Sequence, residues 1–470
     1  AYEALPKEER AVLHERFADW LEALAPDRLV EQEEILGYHL EQAHDYRVSL
    51  GQRDAQVSGL AARAGGWLAA AGHRADQRRD ARAARNLLTR AIRLLPDGDA
   101  HYWSARLDLA NTLSDAADLD GSMEILSSIV EAGDRVPEVL LAEARLFLEW
   151  GKHDRKRLSV PEARRVIGSM IRPLVRAGNH RVAARAWSML AGVYQDNLDV
   201  RHAEAAFRRA ARQARIDGDS EYEADMLFGL VGLGSRSRMP VSEAIDIAQR
   251  VLATASVSRA QRSHGRERLA YLYALHGRFD EARAMMAASV QELTELGLEE
   301  EVGGSAATYG LIEFFAENYV RAEEHFRTSM ATGGAAAGLT WWSGFMAGRL
   351  THILMLQGKD SEALAMAERA TADEWTDMFT NGARARILAR RGHIEEALAL
   401  ARRMVAEAED AGFEEYPVVF GPALEDLAEI LRADGQTDEA RAILMKDLEM
   451  QRAKENLAGV AKIERALAAI

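Results

Sequence analysis

One phrase occurs four times in this chain: HGRFDEARAMM at 276–286, LQGKDSEALAMA at 356–367, RGHIEEALALA at 391–401 and DGQTDEARAIL at 434–444. The four align on one alanine: Ala282, Ala363, Ala397 and Ala440. Each has glycine five residues earlier, at Gly277, Gly358, Gly392 and Gly435, with an apolar periodic segment on either side. The pattern predicts a helix, a tight turn and a second helix, with glycine accepting the left-handed conformation that ends the first. The glutamate before each alanine falls in the first turn of the second helix, where the dipole favours negative charge. The alanine is small because two helices must cross closely there.

The same frame continues upstream with looser spelling. Ala322 sits in ENYVRAEEHF, Ala244 in MPVSEAIDIA, Ala203 in LDVRHAEAAF and Ala163 in LSVPEARRVI, with Ser122 in ADLDGSMEIL and Ala84 in RRDARAARNLL. From 84 to 440 the anchors are spaced by 38, 41, 40, 41, 38, 40, 41, 34 and 43 residues. A chain of 470 residues is too long for one core, because single cores stop growing near about 250–300 residues. A near-constant period resolves that problem, since stacked helix pairs bury their apolar faces only against neighbours. The expected fold is therefore all-α, a right-handed α-solenoid of about ten helix-turn-helix repeats. Pro6, Pro161 and Pro240 fall where helices should begin, and no segment alternates with the two-residue period of a strand.

The residues within the repeat resemble the tetratricopeptide family. The clearest unit is AWSMLAGVYQDNLDVRHAEAAFRRA: Trp187, Leu190, Ala191 and Tyr194 match the first helix of that family, and Ala203, Phe207 and Ala210 match the second. Pro96 matches its closing proline. The family period is usually shorter than the forty found here, which implies helices longer by about a turn. Before the array, YEALPKEERAVLHERFADWLE (2–22) and ILGYHLEQA (35–43) resemble the stretch that follows the ATPase module in bacterial multidomain signal-transduction ATPases of the STAND type. In that group a long tetratricopeptide tail serves as sensor, and a nucleotide cyclase, kinase or transcription-regulator domain often stands at the N-terminus. The resemblance implies a chain that is part of a longer protein, with residues 1–64 leading into an array over 65–470 that ends in a capping helix. Helices are expected at about 6–25, in the segment EQEEILGYHLEQAHDY, and at about 54–75, with Leu13, Phe17, Trp20, Leu21 and Leu24 as the apolar stripe of the first.

Several chemistries are excluded by composition and motif. There is no cysteine, hence no disulfide, thiolate zinc site or cysteine nucleophile, which fits a cytoplasmic location. The net charge of -15 makes nucleic acid a poor partner, and no apolar run is long enough to span a membrane. G-x-x-x-x-G-K-[ST], H-E-x-x-H and G-x-S-x-G are all absent. His39 and His44 are five apart and point to different faces of a helix, while His276 and His393 fall at turns. No catalytic residue, metal or cofactor is expected. Arginines dominate the basic residues, with only seven lysines in the chain. The clusters at 73–90 and 151–165 read as solvated helix faces and a turn with intrachain ion pairs; contact with a nucleotide phosphate or an acidic partner is the alternative.

The segment GLTWWSGFMAGRLTHILMLQG (338–358) opens the repeat anchored at Ala363. In the tetratricopeptide family, first-helix positions line the inner wall. By that resemblance Phe345, Gly348, His352 and Met355 face a groove with Trp341 at its entrance, and neighbouring repeats add Leu311, Phe314, Glu267 and Tyr271. The candidate binding residues are thus Trp341, Phe345, His352, Met355, Phe314 and Tyr271; packing of the same aromatics between helices is the alternative. GFEEYPVVFGPALEDL (412–427) is expected to be a loop. The function expected is a non-catalytic interaction and effector-sensing domain that binds a protein or peptide segment or a small effector and regulates an upstream ATPase or signalling module. The alternatives are a self-assembly scaffold and the regulatory tail of a nucleotide cyclase with no small effector of its own.

Overall fold

The computed structural model describes residues 5–24, 32–78, 80–154, 159–254, 257–332, 340–370 and 374–470. Every regular element among them is helical, and the chain divides into two compact units, Ala1–Met170 and Ile171–Ile470. The first holds α1 (Lys7–Leu24), α2 (Glu33–Ser49), α3 (Ala55–Gln77), α4 (Ala81–Leu94), α5 (Ala100–Asp115), α6 (Leu119–Ala132), α7 (Glu138–Asp154) and the start of α8 (Val160–Arg176). The second continues with α9 (His180–Asp196), α10 (Val200–Asp217), α11 (Ser220–Gly234), α12 (Val241–Leu252), α13 (Arg259–Leu275), α14 (Phe279–Glu295), α15 (Glu299–Phe315) and α16 (Tyr319–Thr332). It ends with α17 (Thr340–Leu356), α18 (Asp360–Arg369), α19 (Glu374–Arg390), α20 (Ile394–Asp410), α21 (Pro417–Ala433), α22 (Thr437–Lys454) and α23 (Leu457–Ala468).

The repeat frame maps onto these helices with one rule. Each of the ten anchors is the fourth residue of an even-numbered helix, from Ala84 in α4 to Ala440 in α22. The N–H of that residue donates the first backbone bond of the helix, as from Ala203 to the Asp199 carbonyl and from Ala440 to the Gln436 carbonyl, both at 3.0 Å. Ala84, Ala163, Ala203, Ala244, Ala282, Ala322, Ala363, Ala397 and Ala440 are all wholly buried, and Ser122 nearly so. A larger side chain there has no volume to enter.

The turn five residues before the anchor is equally regular. Gly277, Gly358, Gly392 and Gly435 have φ of 75°, 75°, 86° and 80°. Ala117, Leu198 and Glu317 occupy the same position in other repeats and adopt the same left-handed conformation, with φ of 61°, 54° and 57°. The stacking geometry imposes that conformation even where the sequence supplies a residue that resists it.

Two ways of treating the helix start recur among the repeats. Asp80, Asp118 and Asp199 accept a backbone N–H at the starts of α4, α6 and α10. The four repeats with the shared phrase lack such a cap. They place acidic pairs in the first turn instead: Asp280 and Glu281, Asp360 and Glu362, Glu395 and Glu396, Asp438 and Glu439. Those charges act on the same orphan N–H groups through the helix dipole.

Within each unit, helices pack on their sequence neighbours, and odd helices also pack on the next odd helix: α3 on α5 and α5 on α7 in the first, α11 on α13, α13 on α15, α17 on α19 and α19 on α21 in the second. The first helices of the repeats therefore share one face. The second unit also returns on itself. The Lys454 ammonium at the end of α22 donates to the carbonyls of Gly234 and Met239, Glu455 accepts the Ser242 N–H at 2.8 Å, and α23 packs on α13.

Three expectations need correction. The step at residues 64/65 falls inside α3, because Leu36 and Leu40 of α2 share one core with Leu60 and Leu68 of α3 and Leu88 of α4. Leu13, Phe17, Trp20 and Leu24 of α1 are exposed; the buried face is Ala11, His14, Ala18 and Leu21, because small residues let α1 lie close to α2. Residues 412–427 are not a loop. Phe413–Glu415 form a 3-10 turn and α21 begins at Pro417, whose missing N–H would have been an orphan anyway.

Candidate functional site

The odd-helix face of the second unit carries a cavity of about 350 Å³. Tyr271 from α13, Leu311 from α15 and Phe345 from α17 form its apolar wall. Gly232 of α11 and Gly304 of α15 also line it. A Cβ on Gly304 would meet nothing within 4 Å, so the missing side chain leaves open space. Volume and lining match those of small-ligand and peptide side-chain pockets.

Three arginines complete the lining. Arg349 stands one helical turn after Phe345 on α17, Arg268 lies on α13, and Arg236 follows the end of α11. Arg349 is 1% exposed, and its guanidinium carbon lies 4.2 Å from the centre of the Phe379 ring. Its Nε and Nη1 donate to no acceptor among the described residues. Burial, with Arg236 nearby, pulls its pKa down to about 10. Burial also lowers Arg268, against the attraction of Glu267 and Asp225. Among the described residues, none of the three is ion-paired to a carboxylate.

One acid shares the cavity. Burial pushes the Glu267 carboxyl up, opposed by the Ser305 and Ser289 hydroxyls that donate to it, Ser289 at 3.2 Å. Both hydroxyls donate to the same oxygen, Oε1, and among the described residues no ion pair joins Glu267 to a guanidinium group. His264 at the rim lies 3.1 Å from a Glu301 carboxylate oxygen.

A second cavity, of about 280 Å³, lies between α17, α19, α21 and α23. Its charges satisfy one another. His352 Nε2 is 3.0 Å and Arg386 Nη1 3.1 Å from the Asp426 carboxylate, and Lys462 bonds Glu425 at 2.5 Å. Burial would push Asp426 up, but His352, Arg386 and Lys462 together hold it below the ordinary carboxylate range. This cluster fastens α23 to the helices beneath it with its charges paired, while the buried His352 Nδ1 has no partner among the described residues.

The expected groove residues therefore separate. Tyr271 and Phe345 meet in the first cavity, as do Glu267 and Leu311, while His352 belongs to the second. Phe314 and Met355 are core, 5% and 0% exposed, because α15 and α17 close over them in the cluster that holds Phe326 and Leu350. Gly348 is buried against the Thr376 backbone. The side chain of Trp341 lies outside the described residues. Arg236, Arg268 and Arg349 escaped sequence reasoning, although the four-residue step from Phe345 to Arg349 puts both on one helix face. Arg90 and Arg93, in and beside the 73–90 cluster, by contrast both hold Glu41. No group of potential metal ligands occurs among the described residues, and no described helix is long and apolar enough to cross a membrane.

No family model matches the chain, and no curated protein resembles it closely enough to count as a relative. Solved structures do. A Rap protein complexed with competence and sporulation factor superposes with a TM-score of 0.57 and 13% identity over 79% of this chain and 99% of its own. The apo form of RapI reaches a TM-score of only 0.35, with 12% identity over 64% of this chain and 97% of its own, too low for a shared fold to follow. At such identities the first likeness concerns the fold alone, and it agrees with the buried anchors: the chain is an all-helical array of tetratricopeptide-like repeats.

Proposed function

We propose that the chain is a non-catalytic recognition module that holds a segment of a partner protein or a peptide on the face formed by α11, α13, α15 and α17. The observation that carries this reading is the cavity of about 350 Å³, walled by Tyr271, Leu311 and Phe345 and opened by Gly304. It is large enough for one or two side chains of an extended segment. That a Rap protein of this fold is complexed with competence and sporulation factor supports recognition as the task here. The resemblance of residues 2–22 and 35–43 to signal-transduction ATPases supports coupling of that recognition to an ATPase or signalling module, through different affinities for its two states.

Gly304→Leu tests the site. Leucine favours the helix and its Cβ meets nothing within 4 Å, so the side chain enters the cavity without a clash at the backbone. Pools of random pentapeptides carrying a neutral dye should raise fluorescence anisotropy with the natural chain and at least about ten-fold less with the variant. Equal binding by both proteins, or no binding by the natural chain, would refute the reading.

A further inference from the structure

We propose that Arg236, Arg268 and Arg349 form a carboxylate-binding subsite, so that the recognised segment presents there either an acidic side chain or its own C-terminal carboxylate. The proposal rests on the recognition reading above and gives its ligand a charge.

The argument begins with cost. A buried cation without a partner is among the more expensive groups a fold can contain, and proteins pair such groups or let them titrate. This chain, with net charge -15, has carboxylates to spare and uses them: Glu313 holds Arg283 at 2.8 Å, and Asp426 holds Arg386 at 3.1 Å. Arg349 is more deeply buried than either, yet its Nε–H and Nη1–H have no acceptor, and it lines the same cavity as two further arginines. Phe345 and Phe379 flank its guanidinium, with ring centres 5.4 Å and 4.2 Å from the central carbon. Those contacts orient the planar donor fork, the geometry that a carboxylate meets with two parallel bonds.

The charge balance selects an anion. Three arginines face Glu267, with Asp225 near Arg268, and burial moves Glu267 toward its neutral form. The site therefore attracts negative charge, and the anion that an unmodified peptide carries is a carboxylate. The apolar wall beside the arginines suits the residues that precede or surround that carboxylate in a peptide.

The test uses the full chain and three pentapeptide pools bearing a neutral dye at an acylated N-terminus. One has a free C-terminal carboxylate and no Asp or Glu, one is C-terminally amidated with a single Glu, and one is amidated with no acidic residue. At least one charged pool should bind about ten-fold or more tightly than the neutral pool, as loss of a charge-assisted bond predicts, and which one does so identifies the source of the carboxylate. Arg236→Gln, at a half-exposed position, should erase most of that preference, read as the ratio of charged-pool to neutral-pool affinity, and Arg268→Gln should do the same. A neutral pool that binds as tightly as both charged ones would overturn the subsite and leave the recognition reading standing. So would a preference that survives both variants, or displacement of the charged pool by inorganic phosphate but not by acetate. Binding of no pool would refute both readings together.

Discussion

The left-handed turn before each anchor yields a prediction whose sign depends on position alone. Ala117 adopts φ 61° where Gly277 adopts φ 75° in an equivalent turn. A non-glycine residue pays about 1–2 kcal/mol for that conformation. Glycine returns about 0.5–1 kcal/mol of this through the larger freedom of the unfolded chain. Ala117→Gly should thus stabilise the first unit by about 0.5–1 kcal/mol, since Ala117 is exposed and loses little packing. Gly277→Ala should destabilise the second unit by a similar amount. Its new methyl group would meet nothing within 4 Å, so the cost is conformational and not steric. Gly304→Ala is the control, a helical glycine with equally open surroundings and ordinary φ, where the same substitution should stabilise by up to about 1 kcal/mol. Urea unfolding followed by circular dichroism measures all three as midpoint shifts at constant slope. The reasoning fails if Ala117→Gly lowers the midpoint, or if Gly277→Ala is tolerated as well as Gly304→Ala.

Three further outcomes are expected. Ala203→Arg should destabilise the second unit by about 3 kcal/mol or more, because it forces a long cation into a wholly buried helix crossing; a normal melting temperature would show that the crossing can open. Gly265→Ala would place a methyl carbon 2.5 Å from Phe228 Cζ and 2.9 Å from Leu252 Cδ2, so overpacking should exceed the helix-propensity gain and leave a net loss of about 1–2 kcal/mol in the same urea assay. Asp447 is buried with Oδ2 unpartnered, and burial pushes its carboxyl up from 3.8 to about 7. A carboxyl raised in the folded state contributes stability that is complete below 3.8 and lost as pH rises through about 7, so Asp447→Asn should be more stable than the natural chain at pH 8 and should flatten the fall between pH 4 and 7. Parallel pH–stability curves for the two proteins would contradict that placement of the charge.

The architecture was legible because it is local and repeated. A small residue at the fourth position of a helix is a short-range requirement, and ten copies of it, nine alanines and Ser122, make a period that four turn glycines mark most clearly. The turns at Ala117, Leu198 and Glu317 were harder to see, because the fold imposes their conformation against the preference of the residue. The α1 stripe misled because Leu13, Phe17, Trp20 and Leu24 satisfy helical spacing as well as the true buried face, Ala11, His14, Ala18 and Leu21, does. Periodicity finds a face, and only packing shows which face is covered. At the site, Tyr271 and Phe345 could be placed on an inner wall by repeat register. Arg349 could not be singled out, because arginines occur throughout the chain and only its near-complete burial with both Nε and Nη1 unmet distinguishes this one.

The return of the C-terminal helices bears directly on that site. In a repeat array each helix pair is held by its neighbours alone, which leaves the inner face free to flex. Here residues 176 to 220 positions apart are joined. Lys454 donates to the carbonyls of Gly234 and Met239, which bracket the turn carrying Arg236, and the Arg238 guanidinium donates to the Glu414 carbonyl at 3.1 Å. The Lys454 ammonium is wholly buried, and burial lowers its pKa to about 7, so the lysine is held there at a cost that the two carbonyls offset. Such an arrangement fixes the turn more firmly than repeat packing would. Arg236 is thus set against Arg268 and Arg349 by the far end of the chain. The electrostatic character of the cavity is a property of the closed second unit, not of the three repeats whose helices line its wall.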